Sequence, residues 1–446
     1  MRLARLSRIV WAVSLPVVFA EVSETILHVT DTIFLGRVGV TELAAVGFAD
    51  SIFDLFLILT IGLTEAMQIL VARRAGEGSP RLVGESFNQG MVLLLTTAVV
   101  VTVLLKVSTP LVLEALVEGP ALGSAVNTYL QIVAYGIVFH GLNFGFSSLF
   151  VGLAKTRVLI WATILLGGVN LAVDYILIFG KFGAPALGIA GAALGSVAAE
   201  AITFAFFIAY TLRYLDIRKY GLFRFFARQA DAVSSWGSLL RLSLPVAAQG
   251  LVEAIRWFAF FVILEAIGEE ALAVSNILFA TMAVFLIPTG GFAETASTFV
   301  SRYIGKERAD RISRLMREVT APAYLLSAPF ILLALFAPEW IASLFTTNAG
   351  VIAASGPALR VLAVTMIVLI ASEMWFAAVA GTGDTPALFG IEVLVTTVML
   401  GVAYFVGISM EASVAAVWTS LAAASVVGLA LSYGWMRSGI WKRLEI

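Results

Sequence analysis

The sequence has no cysteine, which removes disulfides, thiol-ligated metals and cysteine nucleophiles from consideration. Only two histidines are present, so His and Cys cannot assemble a structural zinc set. Charge is also scarce. Asp, Glu, Lys and Arg make up 13% of residues, where a soluble domain carries about 25%. No long hydrophilic block interrupts the chain to form a soluble domain, and no phosphate-binding motif is present. "GTGDT" at 381–385 lacks both the lysine and the spacing of a phosphate-binding loop. A net charge of −1 points to no charged partner, and neither nucleic acid nor ATP is expected as a ligand. Any transport would therefore have to draw on an ion gradient, with no cofactor beyond a coupling H⁺ or Na⁺.

What the sequence has in abundance is apolar surface: 60% of residues are hydrophobic and the mean hydropathy is +0.99. Runs long enough to cross a bilayer core of about 30 Å recur throughout. They predict an all-α polytopic membrane protein of twelve spans, starting near residues 9, 43, 86, 125, 158, 187, 239, 271, 318, 353, 386 and 412. The first run follows Arg2, Arg5 and Arg8 but lacks a small-residue cleavage site, so it reads as a retained span. Lys and Arg concentrate in alternate loops: Arg73, Arg74 and Arg81; Lys155 and Arg157; six residues from Arg213 to Arg241; six from Arg302 to Arg317; Arg437, Lys442 and Arg443. The other loops hold only Arg37, Lys106, Lys181 and Arg360. Cytoplasmic loops of short-looped membrane proteins carry this excess. Both termini are therefore expected in the cytoplasm, with the protein in the inner membrane. Reporter fusions after Arg228 and after Arg443 should both score cytoplasmic, and a periplasmic signal at either would refute the twelve-span topology.

An internal repeat runs at an offset of 229 residues. "SLPV" at 14–17 recurs at 243–246, "IGLTEAMQILVARRAGEG" at 61–78 faces "GGFAETASTFVSRYIGKE" at 290–307, and "GLAKT" at 152–156 lies over "GTGDT" at 381–385. An ungapped register of this length predicts two six-helix bundles with pseudo-symmetry. Because each copy holds an even number of spans, the repeat is parallel, with the expected site in the cleft between copies. The predicted division is an N-lobe at 1–212, a basic cytoplasmic linker at 213–238 resting on lipid headgroups, and a C-lobe at 239–446.

Ionisable residues inside apolar spans are costly and mark candidate sites. In span one, Glu21, Glu24, His28 and Asp31 fall within an arc of about 80° at helical periodicity. No Lys or Arg lies between Arg8 and Arg37 to neutralise them. A cation or proton site explains this stripe better than a hydrogen-bonded helix contact, because burying several carboxylates for packing alone is unfavourable. In span five, Asn170 and Asp174 lie one turn apart behind Gly167 and Gly168. An amide beside a carboxylate suits either a partly dehydrated Na⁺ or a protonated acid. Asp50 and Asp54 form another such pair nearer the outer end of span two, lining a mouth or simply solvated. In span seven, Gln249, Glu253 and Arg256 share a face, and Glu253 and Arg256 read as an ion pair. Glu373 stands beside Trp375 and Phe376 in span ten, a candidate acid facing substrate. Glu65 and Glu294 occupy equivalent repeat positions near the cytoplasmic surface. His140 has no acidic neighbour in sequence and reads as a core histidine.

"SLP" opening each half, "DTIFLGRVGVTELAAVGFA" from span one into span two, "GVNLAVDYILI" in span five and the paired six-span layout together resemble the multidrug and toxic compound extrusion (MATE) family, close to its DinF-like branch. The resemblance covers nearly the whole chain. It implies two six-helix bundles, and export of organic cations or other amphiphiles in exchange for H⁺ or Na⁺. It implies an N-lobe cation site at Asp31, Asn170 and Asp174, the one place where Na⁺ would be held, with Tyr129, Asn143 and Ser196 as polar neighbours. Ser196 stands where relatives often carry Thr. Glu253 resembles the span-seven acid of the NorM-like branch, whereas the span-ten acid of that branch has no match at its own position, Glu373 lying one turn away.

The expected function is cation-coupled antiport of cationic or amphipathic drugs by alternating access, by a monomer in the lipid bilayer with no enzymatic activity. Trp257 and Trp375 suit planar cations through stacking and cation–π contact, although core packing accounts for most aromatics. Two rivals are a flippase for lipid-linked precursors and a non-transporting scaffold or receptor. The flippase would need basic residues for a pyrophosphate, and only Arg256 lies in a span. A scaffold gives no reason for unpaired acids at midplane.

Overall fold

The computed structural model describes residues 2–117, 119–225 and 232–443, and all regular structure among them is helical. The helices are α1 Arg2–Val38, α2 Val40–Glu77, α3 Pro80–Leu116, α4 Pro120–Val133, α5 Gly136–Gly152, α6 Arg157–Phe179, α7 Ile189–Tyr214, α8 Ile217–Tyr220, α9 Ala232–Ile267, α10 Glu269–Gly305, α11 Ile312–Phe336, α12 Pro338–Ser343, α13 Ala349–Thr382, α14 Thr385–Tyr404, α15 Val414–Val417 and α16 Thr419–Ser438. Among the described residues ten helices are long and apolar enough to cross a membrane, eleven when α4 and α5 count as one bent span. The twelfth, α9, has the length. It carries Arg241, Glu253, Arg256 and Glu265.

The span expected from residue 125 is thus two helices meeting at 47°. A break inside a membrane frees backbone groups that lipid cannot satisfy, so protein must. Here Thr102 Oγ1 on α3 donates to Ala134 O at 3.0 Å, and Lys106 Nζ donates to Gln131 O at 3.0 Å.

The helices sort into two compact units, residues 19–247 and residues 1–18 with 248–446. The division predicted at 212 and 239 follows the sequence repeat. Packing instead divides the chain inside α1 and inside α9, just after Pro16 and Pro245, which contribute no amide hydrogen to their helices. Each unit takes in the first part of the helix that opens the other half. In the unit containing α10, Ser14 Oγ donates to Thr295 Oγ1 at 2.8 Å, and Gly291 lets Val18 approach so closely that a Cβ would collide with it. In the other unit the repeat partner of Gly291, Gly62, sits against α9, where a Cβ would lie 2.8 Å from Ser243 O. The repeat therefore places a missing side chain at both crossings, which permits close helix packing where no hydrophobic drive operates.

The predicted linker at 213–238 divides in four, its last part, 232–238, opening α9. Its start completes α7, residues 215–225 are pinned onto α3, and 226–231 lie outside the described residues. Asn88 does the pinning, donating to Gly221 O at 2.8 Å and accepting from Phe223 N at 2.9 Å, while Phe223 joins Phe87 and Phe146.

Candidate functional site

Three helices of the 19–247 unit bring Asp31, Asn170 and Asp174 together. Asp174 is fully buried and Asn170 nearly so, because α7 lies directly on α6. Gly191 and Gly195, one turn apart, make that approach possible: a Cβ on Gly191 would meet the backbone of Leu177 and Ile178, and one on Gly195 would collide with Asp174 Oδ1. Small residues spaced by four are the expected device for such a contact. Gly195→Val is therefore expected to push α7 off α6, costing about 1–3 kcal/mol in a detergent melt and opening Asp174 to water. An unchanged melting temperature would show that the contact is not tight.

Asp31 comes to this site from α1, so that its Oδ1 and Asp174 Oδ2 lie 3.1 and 3.2 Å from the same atom of the Asn170 amide. Two carboxylates gathered on one amide repel when both are ionised, and a proton or cation between them relieves that repulsion. Asn170 lies between them. With its amide nitrogen turned toward the acids it donates to Asp31 Oδ1 at 3.1 Å and Asp174 Oδ2 at 3.2 Å. Turned the other way, the nitrogen reaches Ser196 Oγ at 3.4 Å and the amide oxygen faces both acids. The first arrangement suits ionised acids, and the second suits protonated acids or a bound cation. Asp174 Oδ1 is left buried without a protein partner. Two carboxylate groups, a reversible amide and a hydroxyl thus fit a proton or a small alkali cation held by oxygen. α1 has no Lys or Arg between Arg8 and Arg37, and α6 has none after Arg157.

The other expected members scatter around this pair. Glu24 and His28 are exposed on the same helix, and Glu21 is half-buried. Asp50, placed near a mouth by sequence, comes within reach of the site, since Tyr129 OH donates to its Oδ1 at a long 3.5 Å and Asp31 acts on it electrostatically. Asp54 is exposed. Asn143 bonds elsewhere, donating to Glu200 Oε2 at 2.6 Å. His140 is not a solitary core histidine: its Nδ1 lies 2.8 Å from Glu200 Oε1, a carboxylate 60 residues away that no local pattern could pair with it. Glu200 is a lone acid in the apolar run "GSVAAEAITFAF", and that isolation is its one sequence signal.

In the other unit, Glu253 does pair with Arg256, at 3.3 Å. The main partner, however, is Glu392 of α14, a single acid in "GIEVLV" with no local pattern to mark it. Thr396 Oγ1 donates to Glu392 at 3.4 Å, Gln249 Nε2 donates to Glu253 at 3.3 Å, and Glu373 is in electrostatic contact with all three charged groups. Trp257 stands edge-on to Phe260 and Phe279, and Trp375 edge-on to Tyr433 at 4.9 Å, so both are engaged in packing.

Repeated helical halves with acids buried inside membrane spans define a polytopic membrane transporter rather than an enzyme. The MatE family model matches residues 16–176 and again 245–406, two segments beginning 229 residues apart, the offset of the internal repeat. The chain belongs to the MatE family. A probable multidrug resistance protein NorM of Thermotoga maritima is 24% identical over 442 residues, covering 97% of this chain and 92% of its own. Its counterpart in Rhizobium meliloti is 30% identical over 279 residues, covering 62% and 58%. Among solved structures, an outward-facing multidrug resistance MATE transporter of the MOP superfamily superposes with a TM-score of 0.88 at 19% identity, covering 97% of this chain and 95% of that one. A MOP superfamily transporter from Pyrococcus furiosus superposes with a TM-score of 0.87 at 20% identity over the same shares.

Proposed function

We propose that the protein exports amphipathic or cationic organic compounds by alternating access, driven by H⁺ or Na⁺ exchanged at Asp31 and Asp174. The observation carrying this reading is the meeting of Asp31 on α1 and Asp174 on α6 at one Asn170 amide, an arrangement that a proton or cation shared by the two acids would stabilise. Filled, it ties α1 to α6. Emptied, two like charges close together repel, and α1 gains a reason to move. Export follows if the cargo favours the state in which the pair is empty, because coupling needs only that the two ligands prefer different states. A pair at the N-lobe also supports placement near the DinF-like branch. The NorM names of the relatives support the drug class.

Against a flippase reading, Arg256 is committed to Glu392 and Glu253, so that span offers no spare cation to a pyrophosphate. The deciding assay is dye efflux from proteoliposomes under an imposed pH gradient and, separately, an imposed Na⁺ gradient. One gradient is expected to drive efflux. Equal efflux with no gradient at all would refute antiport.

A further inference from the structure

A second buried constellation on α5 and α7 is not used by the Asp31–Asp174 pair. His140 Nδ1 lies 2.8 Å from one oxygen of Glu200. Asn143, on the next turn of α5, donates to the other oxygen at 2.6 Å and also reaches the backbone oxygen of Glu200 at 2.9 Å. The His140 ring rests on Phe144 with centroids 4.5 Å apart. Asn143 is 6% exposed, and its own Oδ1 is buried with no partner. Glu200 is thus held at both carboxyl oxygens, by His140 at one and by Asn143 at the other, an arrangement that fixes a carboxylate against an imidazole. The His140 and Glu200 side chains keep 18% and 17% exposure, enough for a proton to enter or leave.

The charged groups acting on His140 come from three helices: Glu200 on α7, Glu24 on α1 and Asp54 on α2. Of the other helices packed on α5, α4 carries only Tyr129 as a titratable group, and the charges of α3 are Arg81, Glu85, Lys106 and Glu114. His140 therefore stands where the exposed end of the acid stripe on α1 can be felt.

We propose that His140 and Glu200, with Asn143 fixing the carboxylate, form a second proton-exchange site in this unit. In the loaded state an imidazolium donates from Nδ1 to Glu200. On unloading, the proton leaves from Nε2, the neutral ring keeps its Nδ1–H on the carboxylate, and no electron moves. The contribution to transport rests on the antiport reading above, whereas proton exchange by the dyad itself does not.

With only two histidines in the chain, nitrogen-15 NMR of the full-length, histidine-labelled protein in micelles reads the site directly, and the His28→Gln spectrum makes the assignment. The His140 signal is expected to pass from the imidazolium to the neutral pattern between about pH 5 and 8, with its midpoint displaced in Glu200→Gln. A signal fixed in one protonation state across that range overturns the proposal. Proton release on adding ethidium in weak buffer is expected to fall to about half in His140→Gln, one of two exchanging sites being lost. Wild-type release from folded His140→Gln also overturns it, and Glu200→Gln serves as the second variant should His140→Gln fail to fold. If His140 titrates but an Asp31→Asn, Asp174→Asn double variant transports normally, the pair loses its role and the dyad stands. If His140 is silent and the double variant is inactive, the dyad loses its role and the pair stands.

Discussion

Asp31→Asn and Asp174→Asn are each expected to reduce gradient-driven efflux to the level of protein-free vesicles while leaving a folded protein that still binds drug. Asparagine preserves the shape of aspartate and can donate to the remaining carboxylate, so the contact between α1 and α6 survives. The change in stability should stay within about 1 kcal/mol, the scale of one exchanged hydrogen bond. What disappears is the ability to take up and release a proton or cation. In the wild type the proposed exchange needs two carboxyl groups side by side, whereas in either variant the contact is made permanently by the amide. Proton release on drug addition in weakly buffered detergent should fall with efflux. Glu24→Gln should be milder, because Glu24 is exposed and lies two turns from the contact. Wild-type efflux together with wild-type proton release from the double variant would remove the pair from the mechanism.

The second large effect belongs to the opposite unit and is one of stability. Arg256→Met leaves Glu392 buried without its counter-charge, a situation costing about 3–5 kcal/mol in proteins generally. It should appear as a markedly lowered melting temperature in detergent. Glu392→Gln, Arg256→Met together should be milder than Arg256→Met alone, since no buried charge is stranded. Glu253→Gln should cost at most about 1 kcal/mol: its side chain is 47% exposed where that of Glu392 is 6% exposed, so water already screens its pairing with Arg256. If Glu253→Gln proved as damaging as Arg256→Met, the ranking of the two partners would be reversed. Should the folded double variant lose all cation coupling while Asp31 and Asp174 are intact, the coupling site lies among Glu253, Glu373 and Glu392 instead.

These expectations draw unequally on sequence and on folding. Asp31, Asn170 and Asp174 stand out in the amino-acid sequence, because an acid in an apolar span is conspicuous and helical periodicity alone gathers neighbours within one turn. The same periodicity puts Glu253 beside Arg256. It cannot reveal that Glu392, 136 residues away, is the closer partner, nor that Glu200 holds His140. Both are solitary acids on their own helices, and nothing within a turn of either announces a partner. Tyr129, expected near the pair, comes close to it through Asp50. Asn143 is expected there too, but the bend between α4 and α5 and the approach of α7 carry it to Glu200.

The membrane class, the two-fold repeat at 229 residues, the helical content and the acidic character of α1 and α6 were determined by the sequence itself. Each depends on local quantities, hydropathy along a window and residue identity at a fixed spacing, that need no knowledge of what packs where. Tertiary structure decided which acids meet and where the units divide. Helix contacts in a membrane are chosen by close fit at a few positions, among them Gly62, Gly191, Gly195 and Gly291. A glycine in the sequence does not say which helix it admits. Pro16 and Pro245 are visible in the sequence as interruptions of a helix, but only packing shows that the chain passes from one compact unit to the other just beyond each of them, because the proline loosens the helical ladder while the neighbouring helices determine where the freed segment is buried.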